Sequence, residues 1–146
     1  MKFVRRLFLV FSLVILIASI GTLTEITNFL NEEDVERNIL NGLPGKNNQI
    51  LVVKIDDTKS AHPQIGLEQA DIVYVEQVEA GLTRLAAIYS SKLPALIGPV
   101  RSARISDLEL LAQFGRVGFA YSGAQSKLRP VIANANLENL SAERNP

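Results

Sequence analysis

The feature that most constrains this chain is an uncharged apolar run near the N-terminus, residues 7–23, which reads LFLVFSLVILIASIGTL. Lys2, Arg5 and Arg6 precede it, and Glu25 follows it. Charged side chains are costly in hydrocarbon, so a run without any of them partitions into lipid. Positive charge before the run predicts that the N-terminus stays inside the cell and that the body of the protein lies outside.

The length of this run is compatible with two outcomes. A membrane-spanning helix needs about 20 residues, within a range near 17–25, whereas the apolar part of a cleavable signal has about 7–15. The small residues around Gly21 match a cleavage site poorly. We therefore expect residues 1–23 to be a single-pass anchor in the plasma membrane, with secretion after signal cleavage as the alternative.

Composition excludes several kinds of site. The 146 residues carry 15 basic and 15 acidic side chains, so the basic surplus that is typical of nucleic-acid-binding domains is missing. The chain has no cysteine and one histidine, His62, which excludes disulfides, thiol catalysis and metal sites built from several imidazoles. No nucleic-acid partner is expected, and no cofactor is evident.

The rest of the chain predicts a linker and one folded domain. Residues 24–45 mix apolar and acidic side chains and end in the turn sequence NGLPG, which indicates a stalk or linker. In residues 46–146, short apolar runs with the character of strands alternate with segments of helical character. This alternation predicts an α/β domain with a mixed sheet and flanking helices, preceded by the N-terminal membrane helix.

Two local predictions can be checked directly. Residues 72–90 predict a β-hairpin with Ala80 and Gly81 as its loop, and in that register Glu79 and Arg84 are diagonal neighbours on one face. Ser106 and Glu109 have the spacing of a capping box, which predicts a helix from residue 107 to about residue 114.

Three carboxylates are candidate site residues. Asp56 follows an apolar strand, where ligands of α/β sheets tend to bind, although Asp is also a common turn residue. Glu76 and Glu79 lie among apolar residues, and burial of a charge costs several kcal/mol unless it is paired. They are therefore either structural ion pairs or a functional acidic pair, serving as general acid and base or as metal ligands. Asp56 and Glu76 are the weak candidates for a divalent cation.

The basic candidates lie in the segment GPVRSAR, residues 98–104. Arg101 and Arg104 are separated by three positions, stand beside Ser102 and precede a predicted helix start. A guanidinium group binds carboxylate or phosphate in a bidentate manner, and a helix N-terminus adds positive potential. The alternative is that these arginines pair internally with Asp56, Glu76 or Asp107.

A resemblance to a known family extends over roughly residues 50–123. The segments HPQIGLEQADIVYVEQVEAGLTR and GPVRSAR are similar to the YerB-like family of bacterial exported lipoproteins. The resemblance implies an envelope location and an N-terminal domain that is normally followed by more chain, so we expect residues 46–146 to be incomplete at the C-terminus. Two departures stand out: the lipid-bearing cysteine is absent, and Ala80 occupies a position where the family has glycine.

These observations predict an envelope protein with a binding module for a cell-wall component or a small charged ligand. The alternative is an envelope hydrolase that uses carboxylate or metal-assisted chemistry, and the sequence leaves catalysis and the oligomeric state open. The candidate binding residues are Asp56, Glu76, Glu79, Arg84, Arg101, Ser102 and Arg104.

Overall fold

A computed structural model describes residues 15–23, 25, 27 and 35–143 of the chain. The chain divides into two compact units, Met1–Val35 and Glu36–Pro146. In the first unit, residues 15–23 are helical. No helix among the described residues has both the length and the apolar character needed to cross a bilayer. Residues 1–14 of the predicted anchor lie outside the described residues.

The second unit is built on a five-stranded sheet with the order β2-β3-β1-β4-β5. The central strand β1 is antiparallel to β3 and parallel to β4, β2 is antiparallel to β3, and β5 is parallel to β4. The predicted mixed sheet with a β-hairpin is therefore confirmed. The strands are β1 (Leu51–Asp56), β2 (Ile72–Gln77), β3 (Thr83–Tyr89), β4 (Val117–Ala120) and β5 (Leu137–Asn139).

Two helices lie on the connections that lead into β4 and β5, and only the second of them joins two parallel strands. Helix α1 (Ile105–Ala112) lies in the chain between β3 and β4, and the short helix α2 (Arg129–Ala133) connects β4 to β5. The predicted Ser106–Glu109 capping box is wrong. Arg104 is the N-cap residue, and its backbone N–H donates to Oδ2 of Asp107 at 2.6 Å. Asp107, three residues after the cap, thus takes the role that was expected of Glu109.

The predicted hairpin register is shifted by one residue. The N–H of Val78 donates to the carbonyl of Leu82 at 2.8 Å, so the loop is longer than two residues. Glu76 consequently pairs with Arg84, and the expected diagonal of Glu79 and Arg84 is wrong. Because side chains alternate along a strand, a shift of one position changes the face on which each of them lies.

The turn at the end of the hairpin requires an unusual backbone at Ala80. This residue has a φ of 60° within the 3-10 turn Glu79–Gly81. That left-handed region is easily reached by glycine and costs other residues about 1–2 kcal/mol. The departure at Ala80 therefore falls at a position where glycine is the favoured residue.

The sheet has an apolar cluster on each face. The larger one includes Leu111 of α1 and Ile132 of α2, packed with Val52 and Phe119 of the sheet. The smaller one contains Val53, Ile55, Leu85, Ala87 and Tyr89, with Leu67 and Ile97 from loops packed against it. Alternation along β1 places Lys54 and Asp56 on the same face as Val52, so charged side chains enter the larger cluster.

The compact second unit begins before the end of the predicted linker. Asn38 is buried, and its side-chain amide donates to the carbonyl of Lys46 at 2.8 Å. The amide of Asn41 donates to Oδ1 of Asp71 at 2.6 Å. Residues 36–45 therefore belong to the folded body. Of the earlier linker positions, residues 24, 26 and 28–34 lie outside the described residues.

Candidate functional site

The candidate residues named from the sequence lie near one end of the sheet. Arg84 stands opposite both Asp56 of β1 and Glu76 of β2. The segment of residues 98–104 runs beside them, since the N–H of Asp56 donates to the carbonyl of Pro99 at 3.0 Å and the N–H of Arg101 donates to the carbonyl of Lys54 at 2.8 Å. Side-chain contacts divide this region into two groups.

The first group, called the lysine cluster here, consists of Lys54, Glu76 and Asp107. The ammonium group of Lys54 contacts Oε1 of Glu76 and lies 2.6 Å from Oδ1 of Asp107. The Lys54 side chain has no exposed surface, and those of Asp107 and Glu76 are 1% and 11% exposed. One buried cation thus bridges two carboxylates, one on β2 and one on α1.

Hydrogen bonds satisfy the remaining carboxylate oxygens of the lysine cluster. Oε2 of Glu76 accepts a hydrogen bond from the hydroxyl of Ser106 at 2.8 Å, and Oδ2 of Asp107 accepts the backbone N–H of Arg104 at 2.6 Å. Among the described residues, no buried side-chain nitrogen or oxygen lacks a partner. Each carboxylate oxygen of the lysine cluster therefore accepts a hydrogen bond from within the protein.

The two carboxyl groups of the lysine cluster respond differently to their surroundings. Burial raises the pKa of Asp107 to about 6, although the charge and hydrogen bond of Lys54 act in the opposite direction. Burial also opposes ionisation of Glu76, but hydrogen bonds from Lys54 and Ser106 outweigh it and lower the pKa of Glu76. Asp107 is consequently the carboxyl group that takes up a proton more readily.

The second group, called the arginine cluster here, consists of Arg84, Arg101 and Arg104. Arg84 is 9% exposed, and its Nη1 donates to the carbonyl oxygen of Ser102 at 2.9 Å. Among the described residues, no carboxylate oxygen lies within 4.0 Å of the Arg84 guanidinium group. Burial, followed by repulsion from Arg104 and Arg101, lowers the pKa of Arg84.

The outer two arginines each have one acidic partner. Nε of Arg101 lies 3.5 Å from Oδ2 of Asp56, and Nε of Arg104 lies 2.9 Å from Oε2 of Glu79. A hydrogen bond from its own backbone, followed by one from Arg104, lowers the pKa of Glu79. Three guanidinium groups thus face two carboxylates, which leaves a surplus of one positive charge in the arginine cluster.

Hydroxyl groups and a further cation border the arginine cluster. The hydroxyl oxygens of Ser102 and Ser122 are 3.4 Å apart. Beside Arg104 there is a groove with a volume of about 270 Å³, whose lining also includes Glu79 and Lys127. Ser122 follows β4 and is brought here because its N–H donates to the carbonyl of Arg101 at 3.0 Å. The cluster is therefore surrounded by groups that can donate hydrogen bonds to an anion.

The structure gives no support to the suggested metal ligands. Glu76 contacts Lys54, and Asp56 pairs with Arg101. The described part of the chain contains no group of three or more histidine or acidic side chains arranged to hold a metal ion. The site therefore consists of the two clusters of charged side chains.

Lys54 was not recognised from the sequence as part of the site. It lies within the apolar run of residues 50–55 that precedes Asp56, and such a run is typical of a strand that is buried on both faces. A lysine in the middle of such a strand is itself a signal, because a buried ammonium group needs a carboxylate partner. That signal predicts a partner but does not identify Glu76 or Asp107.

Comparison with known proteins places this fold in a family. Residues 40–146 match the family described as "Protein of unknown function (DUF3048) N-terminal domain". A Bacillus subtilis (strain 168) protein named "Putative lipoprotein YerB" is 44% identical over 54 residues, which cover 37% of this chain and 16% of that protein.

A solved structure supports the same relationship. The crystal structure of YerB protein from Bacillus subtilis matches with a TM-score of 0.69 and 27% identity, over 75% of this chain and 39% of that one. This chain therefore spans less than half of the relative whose structure it shares. The predicted resemblance to YerB-like proteins is confirmed, and the chain belongs to the DUF3048 family, whose N-terminal domain it contains.

Proposed function

We propose that this protein is a binding module of the cell envelope that recognises an anionic group through the arginine cluster. The observation that carries this proposal is the state of Arg84. Its guanidinium group is largely buried, has no carboxylate partner within 4.0 Å among the described residues, and is repelled by Arg101 and Arg104. A bound anion would offset both the loss of hydration and the repulsion.

The residues around Arg84 support phosphate or carboxylate as the recognised group. Guanidinium groups form paired hydrogen bonds with the oxygens of either anion. The hydroxyl of Ser102, whose carbonyl accepts a hydrogen bond from Arg84, and the hydroxyl of Ser122 are further donors in this region. Asp56 pairs with Arg101 and Glu79 pairs with Arg104, and neither carboxylate lies within 4.0 Å of the Arg84 guanidinium group. Both anion classes occur in charged polymers of the cell wall, which we propose as the source of the ligand.

An envelope location agrees with two observations. The related Bacillus protein is named as a lipoprotein, and the N-terminal sequence of this chain is basic and then apolar. We propose that residues 7–23 anchor the protein in the plasma membrane with its body outside, the alternative being secretion after cleavage. Protease treatment of intact cells tests this location: we expect the folded body to be digested while a cytoplasmic marker survives.

The carboxylates do not favour the alternative of a hydrolase. Asp56, Glu76 and Glu79 each lie beside a cation, and Glu76 also accepts a hydrogen bond from Ser106. A general base must be able to reach the proton that it removes from the substrate or from water. Since these three groups are already engaged, we propose binding rather than hydrolysis.

Calorimetric titration of the full-length protein with defined anions tests the proposed function. The probes are inorganic phosphate, pyrophosphate and acetate, with glucose as the neutral control. We expect saturable binding of at least one anion, about tenfold to a hundredfold weaker binding in Arg84→Met, and unchanged binding in Arg116→Met, which changes an exposed arginine paired with Glu138. Absence of binding for every anion, or equal binding by both variants, would overturn the proposal.

A further inference from the structure

The lysine cluster holds the side-chain nitrogen of Lys54 within hydrogen-bonding distance of two carboxyl groups in the protein core. Nζ of Lys54 lies 2.6 Å from Oδ1 of Asp107 and contacts Oε1 of Glu76. The carboxyl carbon Cγ of Asp107 is one bond from Oδ1, so a small rotation brings it into the near-attack range of about 3–3.5 Å from Nζ. The arrangement contains a nucleophile, an electrophile and a group that can move protons.

We propose that Lys54 and Asp107 condense to form an intramolecular isopeptide bond, with Glu76 transferring the protons. In the first step, the ammonium group of Lys54 gives a proton to Oδ1 of Asp107, which produces a neutral amine and a neutral carboxylic acid. Nζ then forms a bond to Cγ, and the electron pair of the C=O bond moves to Oδ2. The carboxylate of Glu76 takes a proton from the new N–C centre.

The second half of the reaction releases water. Glu76 returns its proton to the Oδ1 hydroxyl, the Cγ–Oδ1 bond breaks, and the electron pair on Oδ2 re-forms the double bond. The products are one amide, one water molecule and the original Glu76 carboxylate. No oxidant, reductant or external cofactor enters this balance.

Two hydrogen bonds favour the proposed condensation, because they involve groups whose charge changes during the reaction. The backbone N–H of Arg104 donates to Oδ2 of Asp107 at 2.6 Å, which is the oxygen that carries negative charge in the tetrahedral intermediate. Donors aimed at such an oxygen lower the barrier of acyl transfer, and the N-terminus of α1 adds positive potential there. The proton-transferring group, Glu76, is held on its other oxygen by Ser106 at 2.8 Å.

The surroundings of the cluster favour condensation over hydrolysis. Lys54 has no exposed side-chain surface, and that of Asp107 is 1% exposed. Exclusion of water favours uncharged forms and removes the reactant needed to reverse the step. The raised pKa of Asp107, caused first by burial, acts in the same direction.

The bond would connect the central strand to the start of α1. It would close a covalent loop between positions separated by 53 residues, and this loop includes the segment of residues 98–104. Cross-links stabilise proteins mainly by restricting the unfolded chain. The cross-link would also hold Arg101 and Arg104 in place independently of any ligand, so it does not depend on the proposed anion binding.

Peptide mass spectrometry of the purified full-length protein tests the proposal. Trypsin does not cut after an acylated lysine, so we expect a branched species that joins residues 47–59 to residues 105–116. Its mass should equal that of the two peptides minus one water molecule, and fragmentation should place the link at Lys54 and Asp107. In a plain ion pair, the digest would instead contain cleavage after Lys54 and a linear peptide of residues 105–116.

Glu76→Gln separates the proton-transfer role from simple proximity. This variant keeps both reacting groups, and we expect cross-linking to slow by about a hundredfold or more, the usual contribution of general acid–base catalysis. Glu138→Gln, at an exposed carboxylate, is the matched control and should cross-link as the unaltered protein does. Circular dichroism checks that each variant is folded.

The unaltered protein tests the isopeptide proposal even if Glu76→Gln fails to fold. If its folded form yields only linear peptides after prolonged incubation, the isopeptide proposal is overturned. If the branched peptide forms equally fast in a folded Glu76→Gln protein, the role of Glu76 is overturned.

Discussion

The lysine cluster and the arginine cluster lie on the same face of the sheet, yet their charges are satisfied in opposite ways. Lys54 is enclosed by two carboxylates whose oxygens all have donors, and very little of the cluster is exposed. The arginine cluster has three guanidinium groups for two carboxylates, and the side chain of Arg101 is 49% exposed. A buried cluster whose charges balance indicates a structural role, whereas a partly exposed cluster with surplus positive charge indicates a site for an anionic ligand.

Position relative to α1 explains this difference. The N-terminal turn of α1 covers Lys54 and supplies Asp107 and Ser106, which complete the hydrogen bonds of the lysine cluster. In the arginine cluster, Arg101 belongs to the loop before α1 and its side chain is 49% exposed, whereas Arg84 on β3 and the cap residue Arg104 are more buried. The N-terminus of a helix can therefore bury one cluster of charged side chains and leave a neighbouring cluster partly exposed to solvent.

The largest effect is expected from Lys54→Met. Lys54→Met leaves the buried carboxylates of Glu76 and Asp107 without their cation and also prevents the proposed cross-link, and breaking a buried pair alone costs about 3–5 kcal/mol. Urea unfolding should therefore show a loss of at least this size in the free energy of unfolding. Lys92→Met, at an exposed lysine, is the control and should change stability by no more than about 0.5 kcal/mol. A loss below about 1 kcal/mol for Lys54→Met would contradict the closed description of the lysine cluster.

The same type of substitution should have a different outcome in the arginine cluster. Arg84→Met removes a cation that burial and two neighbouring arginines already disfavour. We expect stability within about 1 kcal/mol of the unaltered protein, because the side-chain hydrogen bond that is lost among the described residues goes to one carbonyl group, that of Ser102. Phosphate binding should weaken by about tenfold to a hundredfold, the value of a hydrogen bond to a charged group. Strong destabilisation in urea unfolding would show that the two clusters are both structural.

Glu79→Gln is expected to change phosphate binding less than Arg84→Met does, and to strengthen it instead of weakening it. Glu79 competes with a bound anion for Arg104, since its Oε2 lies 2.9 Å from Nε of that arginine. Loss of this exposed ion pair should strengthen phosphate binding by about twofold to fivefold, the range of exposed pairs. Calorimetric titration measures the change, and Glu138→Gln serves as the control. Weaker binding in Glu79→Gln would mean that Glu79 positions Arg104 more than it competes with the ligand.

The smallest expected effect concerns the hairpin turn that carries Glu79. Ala80 has a φ of 60°, and glycine adopts this conformation without a steric cost. Ala80→Gly should therefore raise the free energy of unfolding by about 0.5–1 kcal/mol, after allowance for the greater freedom of the unfolded chain. Ala112→Gly at the end of α1 is the contrasting control, and we expect a loss of up to about 1 kcal/mol because glycine is a poor helix former. Thermal unfolding of both variants shows whether Ala80→Gly raises stability and Ala112→Gly lowers it.

Much of the fold could be predicted from local sequence patterns. The apolar run that became β1, the strands of the hairpin and the start of α1 near residues 105–107 all follow from periodicity and turn residues. The register of the hairpin was missed because Ala80 and Gly81 suggest a two-residue loop, whereas the chain forms a wider 3-10 turn. That single position decided whether Arg84 stands opposite Glu76 or beside Glu79.

The partners of the charged residues could not be derived in the same way. A lysine within an apolar strand predicts that some carboxylate is near, but Glu76 and Asp107 are 22 and 53 positions away from it. Arg84 was expected to pair with Glu79, and the structure pairs Glu79 with Arg104 instead. Charge is a property of composition, whereas neutralisation depends on which elements pack together.

By itself, the sequence determined the basic and apolar N-terminus, the absence of cysteine, the α/β pattern and the family signature of the segment GPVRSAR. Only the tertiary structure decided that Lys54 is enclosed by Glu76 and Asp107, while Arg84 is repelled by Arg101 and Arg104 and has no carboxylate within 4.0 Å among the described residues. The physical reason is that the two kinds of interaction act over different separations along the chain. Hydrophobic periodicity acts over a few neighbouring residues, but the free energy of a buried charge depends on groups that strand order and helix placement bring together from distant parts of the chain.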